Sequence, residues 1–282
     1  MLKKIFSIIF ISAYIIFFAV IMRPYIFFHK EKNFQAVFLD IGQGDATLLQ
    51  TPLGKNILID GGPDKTLLYK LGRYLPWWKQ DIDMIIISHP HADHIIGIIE
   101  AIKRFKVHAV IMTDAEINTP EFAELKNIFK KNEVKMDILQ SRRSLDIEEN
   151  VRFEFLHPEK SAKNASEKDI NNTSILLRVS YKKSSILFTG DLEERGQKEN
   201  LNENIDSDIL KVPHQGSKDS LDEEFIKKVS PFYSIIFVGK NNYGHPSQRV
   251  VEAHQRLGSK VLITQKIGDI HLVSDGTKFF LK

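Results

Sequence analysis

The sequence predicts an α/β domain folded as an αββα sandwich and preceded by one transmembrane helix, on three observations. From Phe34 onward, short runs of Ile, Val, Leu and Phe alternate with amphipathic segments and with Gly, Asn and Asp punctuation. Sheets covered by helices leave that pattern. The runs fall into two strand-rich halves, each flanked by helical patterns, which implies two sheets with helices outside them. Ahead of both, Ile5 to Met22 carries no charge, and its polar interruptions are only Ser7, Ser12 and Tyr14. At helical rise that run just reaches across a thin hydrocarbon core.

The elements follow in order. Residues 1–33 are expected to form a membrane anchor through residues 5–22. No small-x-small cleavage site precedes Arg23-Pro24, so the segment reads as an uncleaved anchor rather than a removed signal peptide. Charge on its flanks, Lys3 and Lys4 against Arg23, Lys30 and Lys32, is too even to orient it. Residues 34–282 form one domain. Strands are expected over Ala36–Asp40, Ala46–Thr51 and Asn56–Ile59, with Pro52-Leu53-Gly54-Lys55 as the hairpin turn between the last two. A helix over Lys65–Tyr74 leads to the strand Met84–Ile87, whose lack of alternation marks burial on both faces. Next come helix His94–Arg104, strand Ala109–Met112, helix Pro120–Lys131 and strand Lys135–Leu139. In the second half, strands are expected at Arg152–Leu156, Ile175–Val179, Ser185–Phe188, Asp208–Val212, Ser234–Val238, Lys260–Ile263 and Ile270–Val273. Helices are expected at Leu221–Val229 and Ser247–Leu257, and Glu159–Lys168 reads as an exposed loop.

Composition narrows the chemistry. A formal charge of +3 over 282 residues is too small for a polycation that coats nucleic acid, so any polyanion must be held locally. The absence of cysteine excludes disulfides, thiolate metal sites and a cysteine nucleophile. Metal ligands must then be His, Asp or Glu, which suit zinc or manganese.

The polar burst His89-Pro90-His91-Ala92-Asp93-His94 begins where the buried strand Met84–Ile87 ends. Sites in α/β sheets lie at such carboxyl ends. Asp93 by itself reads equally as a helix cap. Crowding three imidazoles at a buried strand end, however, has little structural purpose without a metal. The spacing separates His89 and His91 from Asp93 and His94, so two ions can be held close together. Gly97, in the following helix, leaves room for another backbone or a ligand.

This run resembles the His-x-His-x-Asp-His signature of the metallo-β-lactamase superfamily. The flanks Gln43-Gly44-Asp45, Leu58-Ile59-Asp60-Gly61-Gly62, Phe188-Thr189-Gly190-Asp191-Leu192, Leu210-Lys211-Val212-Pro213-His214-Gln215-Gly216-Ser217 and Gly244-His245-Pro246 are similar, in this order, to the hydrolase domain of ComEC-type competence proteins. The resemblance runs from about Phe34 to the end and lacks the long polytopic region of those proteins. It implies that His89 and His91 bind a first divalent ion and that Asp93 and His94 bind a second. Asp191 would bridge the two, and His214 would complete the second site. Asp60 would brace the metal loops, and Asp93 is read as catalytic as well as ligating. The superfamily's third histidine for the first metal is missing at Asp169-Ile170-Asn171-Asn172-Thr173-Ser174. Asn172 is expected in its place, with His157 the less favoured alternative and otherwise a loop residue. Zinc is the expected metal, with manganese the alternative where imidazoles are fewer. His245 is expected to act as general acid or phosphate donor, and Ser217 and Lys218 to reach phosphate oxygens. His108, His254 and His271 are read as structural.

The implied function is a metal-dependent phosphodiesterase or nuclease acting on DNA, membrane-anchored with the domain outside, as in competence-type DNA uptake. Two alternatives stand beside it. One is a cell-surface phosphodiesterase on a phosphocholine or teichoic-acid-like polymer, and the other a non-catalytic DNA-binding module of an uptake complex. β-Lactam hydrolysis fits the flanks least. The basic residues Lys211, Lys218, Lys240 and Arg249 gather in sequence around the site, without an aromatic stacking platform.

Overall fold

Alternation along the first strand of the domain sends its side chains into two different cores. Phe34, Ala36 and Phe38 enter one, while Val37, with Leu39 just beyond the strand, enters the other. In the computed structural model, which describes residues 33–282 apart from residues 78 and 80, this division holds across the domain. The first half comprises β1 (Phe34–Phe38), β2 (Thr47–Gln50), β3 (Asn56–Ile59), α1 (Thr66–Tyr74), β4 (Asp81–Ile82), β5 (Met84–Ile87), α2 (Ala92–Arg104), β6 (Lys106–Val107), β7 (Ala109–Thr113), α3 (Pro120–Lys131) and β8 (Lys135–Leu139). The second comprises β9 (Arg143–Glu148), β10 (Val151–His157), β11 (Leu176–Tyr181), β12 (Ser184–Phe188), α4 (Glu194–Glu199), β13 (Ile209–Lys211), α5 (Glu223–Val229), β14 (Tyr233–Ile236), α6 (Gln248–Arg256), β15 (Lys260–Ile263), α7 (Thr264–Ile267), β16 (Ile270–Ser274) and β17 (Phe279–Leu281).

One sheet runs β17-β16-β1-β2-β3-β5-β7-β8, the other β15-β14-β13-β12-β11-β10-β9, and β4 pairs with β6. Their inner faces meet in a core that joins Phe38, Ile59 and Ile86 of the first sheet to Phe155, Phe188 and Phe237 on the second-sheet side. At about 25 cal/mol per Å² of apolar surface, each such side chain contributes roughly 1.5–3 kcal/mol. The outer face of the first sheet packs Leu48, Leu58 and Ile85 against α1, α2 and α3 through Leu71, Ile98 and Leu125. On the second sheet, Leu187 and Leu210 meet Phe225 and Val229 of α5, while Ile236 meets Val250 of α6. The predicted αββα sandwich is thus observed.

The two halves do not map cleanly onto the two sheets. β16 and β17 come from the second half but complete the first sheet, with β16 antiparallel to β1 from Phe34↔Ser274 to Phe38↔Ile270. The backbone groups on that side of β1 need a ladder partner, and nothing in local sequence says which strand supplies it. β9 and β17 escape the pattern as well, one because it is mostly polar and the other because it is short with two exposed residues. The predicted membrane segment Ile5 to Met22 lies outside the described residues. Among the described residues no helix is long and apolar enough to cross a membrane.

His254 of α6 is buried, its Nδ1 2.8 Å from Ser234 Oγ, which agrees with the structural reading. Burial lowers its pKa from 6.5 to about 4. The folded state therefore binds this proton more weakly than the unfolded chain does. The stability it supports is complete above pH 6.5 and declines as the pH falls toward about 4, by on the order of 3 kcal/mol. Denaturant unfolding of the parent and His254→Gln between pH 4 and 7 should show a shallower acid decline in the variant. Equal declines would refute the assignment.

Candidate active site

β5 is flanked by parallel β3 and β7, and the chain leaves its carboxyl end through Ser88, His89 and Pro90. α2 begins at Ala92, two residues before the start expected from the apolar periodicity, with His91 at its N-cap position and Asp93 and His94 in its first turn. Asp93 is therefore not the cap. Its Oδ2 turns to the cluster, 3.8 Å from His94 Nε2. Two loops are pressed onto this turn. A Cβ at Gly97 would lie 1.9 Å from Gly61 O, and one at Gly44 would lie 2.2 Å from Asp93 O, so only glycine permits the contacts.

His89 Nε2 and His91 Nδ1 approach to 2.9 Å. Burial, with His94 nearby, keeps both rings below the usual histidine pKa, so both present lone pairs. His94 Nδ1 is 3.0 Å from Asp60 Oδ2, while Asp60 Oδ1 accepts the Ser88 N–H at 2.8 Å. This network places the Nδ1 proton toward Asp60 and aims Nε2 inward, as expected of a bracing aspartate. Burial opposes charge on His94, but Asp191, Asp93 and Asp60 outweigh it and hold its pKa well above 6.5. A basic nitrogen among carboxylates is a place that attracts a cation.

Asp191 follows β12, and its backbone N–H donates to Ser174 Oγ at 3.0 Å. Its Oδ2 lies 4.0 Å from His89 Nε2, 3.4 Å from His94 Nε2 and 3.9 Å from His214 Nε2. One carboxylate oxygen thus faces three imidazoles. Ligand atoms of His89, His94 and Asp191 lie within 4.8 Å of one another, and His94 Nε2, on the side of Asp191 Oδ2, is buried without a hydrogen-bond partner. Buried polar atoms are almost always satisfied, so this donor set fits divalent ions. Asp45, Asp60 and His94 also lie close together, but Lys211 already pairs with Asp45 and His94 with Asp60.

Lys211, grouped in the sequence with the basic residues around the site, is only 2% exposed. On β13 it shares the inward face of Ile209, two residues earlier, while Leu210 faces outward. Its ammonium makes a close ion pair with Asp45, donates to Gly190 O at 2.7 Å and lies 3.5 Å from Asp191 Oδ1. Burial opposes its charge, but Asp45 and Asp191 more than offset this and raise its pKa.

The opposite wall is Pro213–Gly216. His214 and Gln215 both have φ of 47°, a left-handed conformation that side-chain-bearing residues hold at a cost of about 1–3 kcal/mol each. The conformation lets Gln215 Nε2 donate to Asp191 Oδ2 at 3.2 Å and to Asp93 Oδ2 at 3.3 Å, while its Oε1 accepts from Gln43 at 3.1 Å. The His245 ring is 5.5 Å from that of His214. Asn241 holds its turn through the His245 N–H and C=O at 3.1 and 2.8 Å, and burial with the neighbouring His214 lowers its pKa. Tyr243, 77% exposed, has its ring 5.9 Å from that of His245.

Two further expectations change. Asn172 cannot serve as a ligand in this arrangement, because its Oδ1 accepts from the Glu193 and Gly196 N–H groups at 3.2 and 3.1 Å and its Nδ2 donates to Glu193. The side chain is used to hold the start of α4. Ser217 is buried, and its Oγ accepts the Asp219 N–H at 3.3 Å, so it caps a turn rather than presenting a hydroxyl; Lys218 is exposed. His157, expected in a loop, is instead the last residue of β10, its Nε2 3.0 Å from Asn172 O. Sequence reasoning quoted Gln43, Asp45, Ser174 and Gln215 within motifs without giving them roles. For Lys211 a signal was present, since it is the one charged residue in Ile209-Leu210-Lys211-Val212-Pro213.

The sequence profile of the metallo-beta-lactamase superfamily matches residues 39–240. ComE operon protein 3 of Bacillus subtilis (strain 168) is 32% identical over 252 residues, 82% of this chain and 32% of that protein. Competence protein ComA of Neisseria gonorrhoeae is 28% identical over 81% of this chain and 30% of that protein. The chain thus spans about a third of the length of these relatives. Among solved structures, the metallo-beta-lactamase fold protein YhfI of Bacillus subtilis superposes with a TM-score of 0.58 at 14% identity, covering 86% of this chain and 100% of YhfI, a likeness of fold.

Proposed function

This chain belongs to the metallo-beta-lactamase superfamily, and from that premise we propose that it is a two-metal phosphodiesterase, a nuclease acting on DNA outside the membrane during uptake. The observation that carries the hydrolase reading is Asp191 Oδ2 facing His89, His94 and His214 beside the buried His94 Nε2, which lacks a hydrogen-bond partner. Members of this superfamily are generally metal-dependent hydrolases. His89 and His91 would hold one ion, Asp93, His94 and His214 the other, with Asp191 between them. With Asn172 committed elsewhere, the first site has two imidazoles, a set that suits zinc and also admits manganese. Bound there, the ions would supply an activated water and neutralise charge on the scissile phosphate.

The chain's own residues do the rest. Asp60 holds His94 in the tautomer that faces the ions, and Gln215 ties the Asp93 and Asp191 carboxylates to the Gln43 loop. His245, fixed by Asn241, delivers a proton to the leaving oxygen. DNA as the substrate is supported by the competence proteins among the relatives. The surface agrees with it. Tyr243 beside His245 offers an exposed ring on which a base can stack, and Lys218, Lys240 and Arg249 are exposed on nearby loop and helix-start positions. Residues 5–22, outside the described residues, would anchor the domain to the cell membrane.

The test is metal analysis of the purified protein combined with cleavage assays on linear, circular, single- and double-stranded DNA. Metal-dependent cutting is expected. DNA binding without cutting would replace the nuclease by a binding module. Turnover confined to a phosphocholine or teichoic-acid-like polymer would move the substrate to the cell surface. His245→Gln is expected to slow DNA cleavage about a hundredfold, the usual contribution of a general acid. It should leave bis-nitrophenyl phosphate nearly unaffected, because that leaving group departs without a proton. Equal losses on both substrates would remove His245 from the acid role.

A further inference from the structure

We infer that Lys211, clamped by Asp45, is a positioning residue that holds one oxygen of Asp191 on its own side and leaves the other toward the residues that would hold the two ions; the inference rests on the two-metal reading above. The backbone at Asp191 is already pinned. Its N–H bonds Ser174 Oγ at 3.0 Å, and the preceding Gly190, at φ +50°, is packed so closely that a Cβ would meet Ser174 Cβ at 2.7 Å and Ser88 Cβ at 2.8 Å. What remains free is rotation of the carboxylate.

Two contacts oppose that rotation from opposite ends. Gln215 donates to Oδ2 at 3.2 Å, and the Lys211 ammonium stands 3.5 Å from Oδ1. Oδ1 is buried and has no hydrogen-bond partner, so that ammonium is the charge that favours the observed orientation. The ammonium is itself immobilised by Asp45 and by Gly190 O. A lysine suits the place better than a neutral donor because its charge also satisfies Asp45. Asp45 lies near Asp60 and His94 and could otherwise offer a competing carboxylate. Without the ammonium, the Asp191 carboxylate would be free to turn, and its grip on the second of the two ions would weaken. Outer partners of metal ligands commonly change affinity by about 10- to 100-fold.

The experiment titrates the full chain, purified in detergent and stripped of metal, with cobalt(II), following visible absorption and metal content by mass spectrometry. The parent is expected to take two ions. Asp45→Asn combined with Lys211→Met, which removes both charges of the pair together, should keep the first ion, bind the second about tenfold or more weakly and show an altered visible band. A folded double variant that fills both sites with parental affinity and spectrum overturns the inference. Asp45→Asn alone, which retains the lysine but loosens its clamp, should shift the second ion in the same sense, and parental behaviour there overturns the inference even if the double variant does not fold. A parent that never exceeds one ion overturns the two-metal reading itself, a failure visible before any variant is made.

Discussion

Asp191→Ala is expected to lower turnover of bis-nitrophenyl phosphate about a thousandfold or more while the domain stays folded. Among the described residues, this side chain is the only carboxylate whose single oxygen faces His89, His94 and His214 at once. On the proposed two-metal site, losing it would remove the shared ligand, and with it several kcal/mol of charge stabilisation at roughly 1.4 kcal/mol per tenfold. The fold should persist because Ser174 Oγ bonds the backbone N–H of Asp191 and not its side chain. Turnover and metal content measured on the same preparation check the prediction. A variant with parental turnover would end the two-metal mechanism.

Lys211→Met is expected to have the largest effect on stability. It leaves Asp45 buried at 3% exposure with its cation gone. Breaking a buried pair from one side costs about 3–5 kcal/mol, which in a domain of this size lowers the thermal midpoint by about 10 °C. Adding Asp45→Asn should recover much of the loss, since the remaining group is then neutral. The three proteins compared by thermal unfolding under the same metal-free buffer decide it. A single variant as stable as the parent would show that the ion pair is not held as the structure shows it.

Much of this protein is legible along the chain. The apolar periods of Met84–Ile87 and the residues after His94 mark a buried strand and its helix, and the density of imidazoles at their junction marks the site. The local order of Gly, Asp and His marks the remaining loops. What local pattern misses is instructive. Along the chain Lys211 is one of several basic residues near the site and has no role of its own, yet the register of β13 turns it inward to meet Asp45, 166 positions earlier in the chain. Asn172 reads as a ligand because of its position in order, yet its amide is consumed by the N–H groups of Glu193 and Gly196.

By itself, the sequence determined the α/β character, the order of the main strands and helices, and the identity of the side chains that crowd the end of β5, because periodicity and ligand chemistry are local properties. Only the tertiary structure decided that β16 closes against β1, that Asp191 presents one oxygen to three histidines, and that Lys211 and Gln215 hold that carboxylate from opposite ends. Those facts depend on which strand satisfies which edge and on which face of a strand looks inward. Both are settled when the two sheets bury their apolar faces against each other.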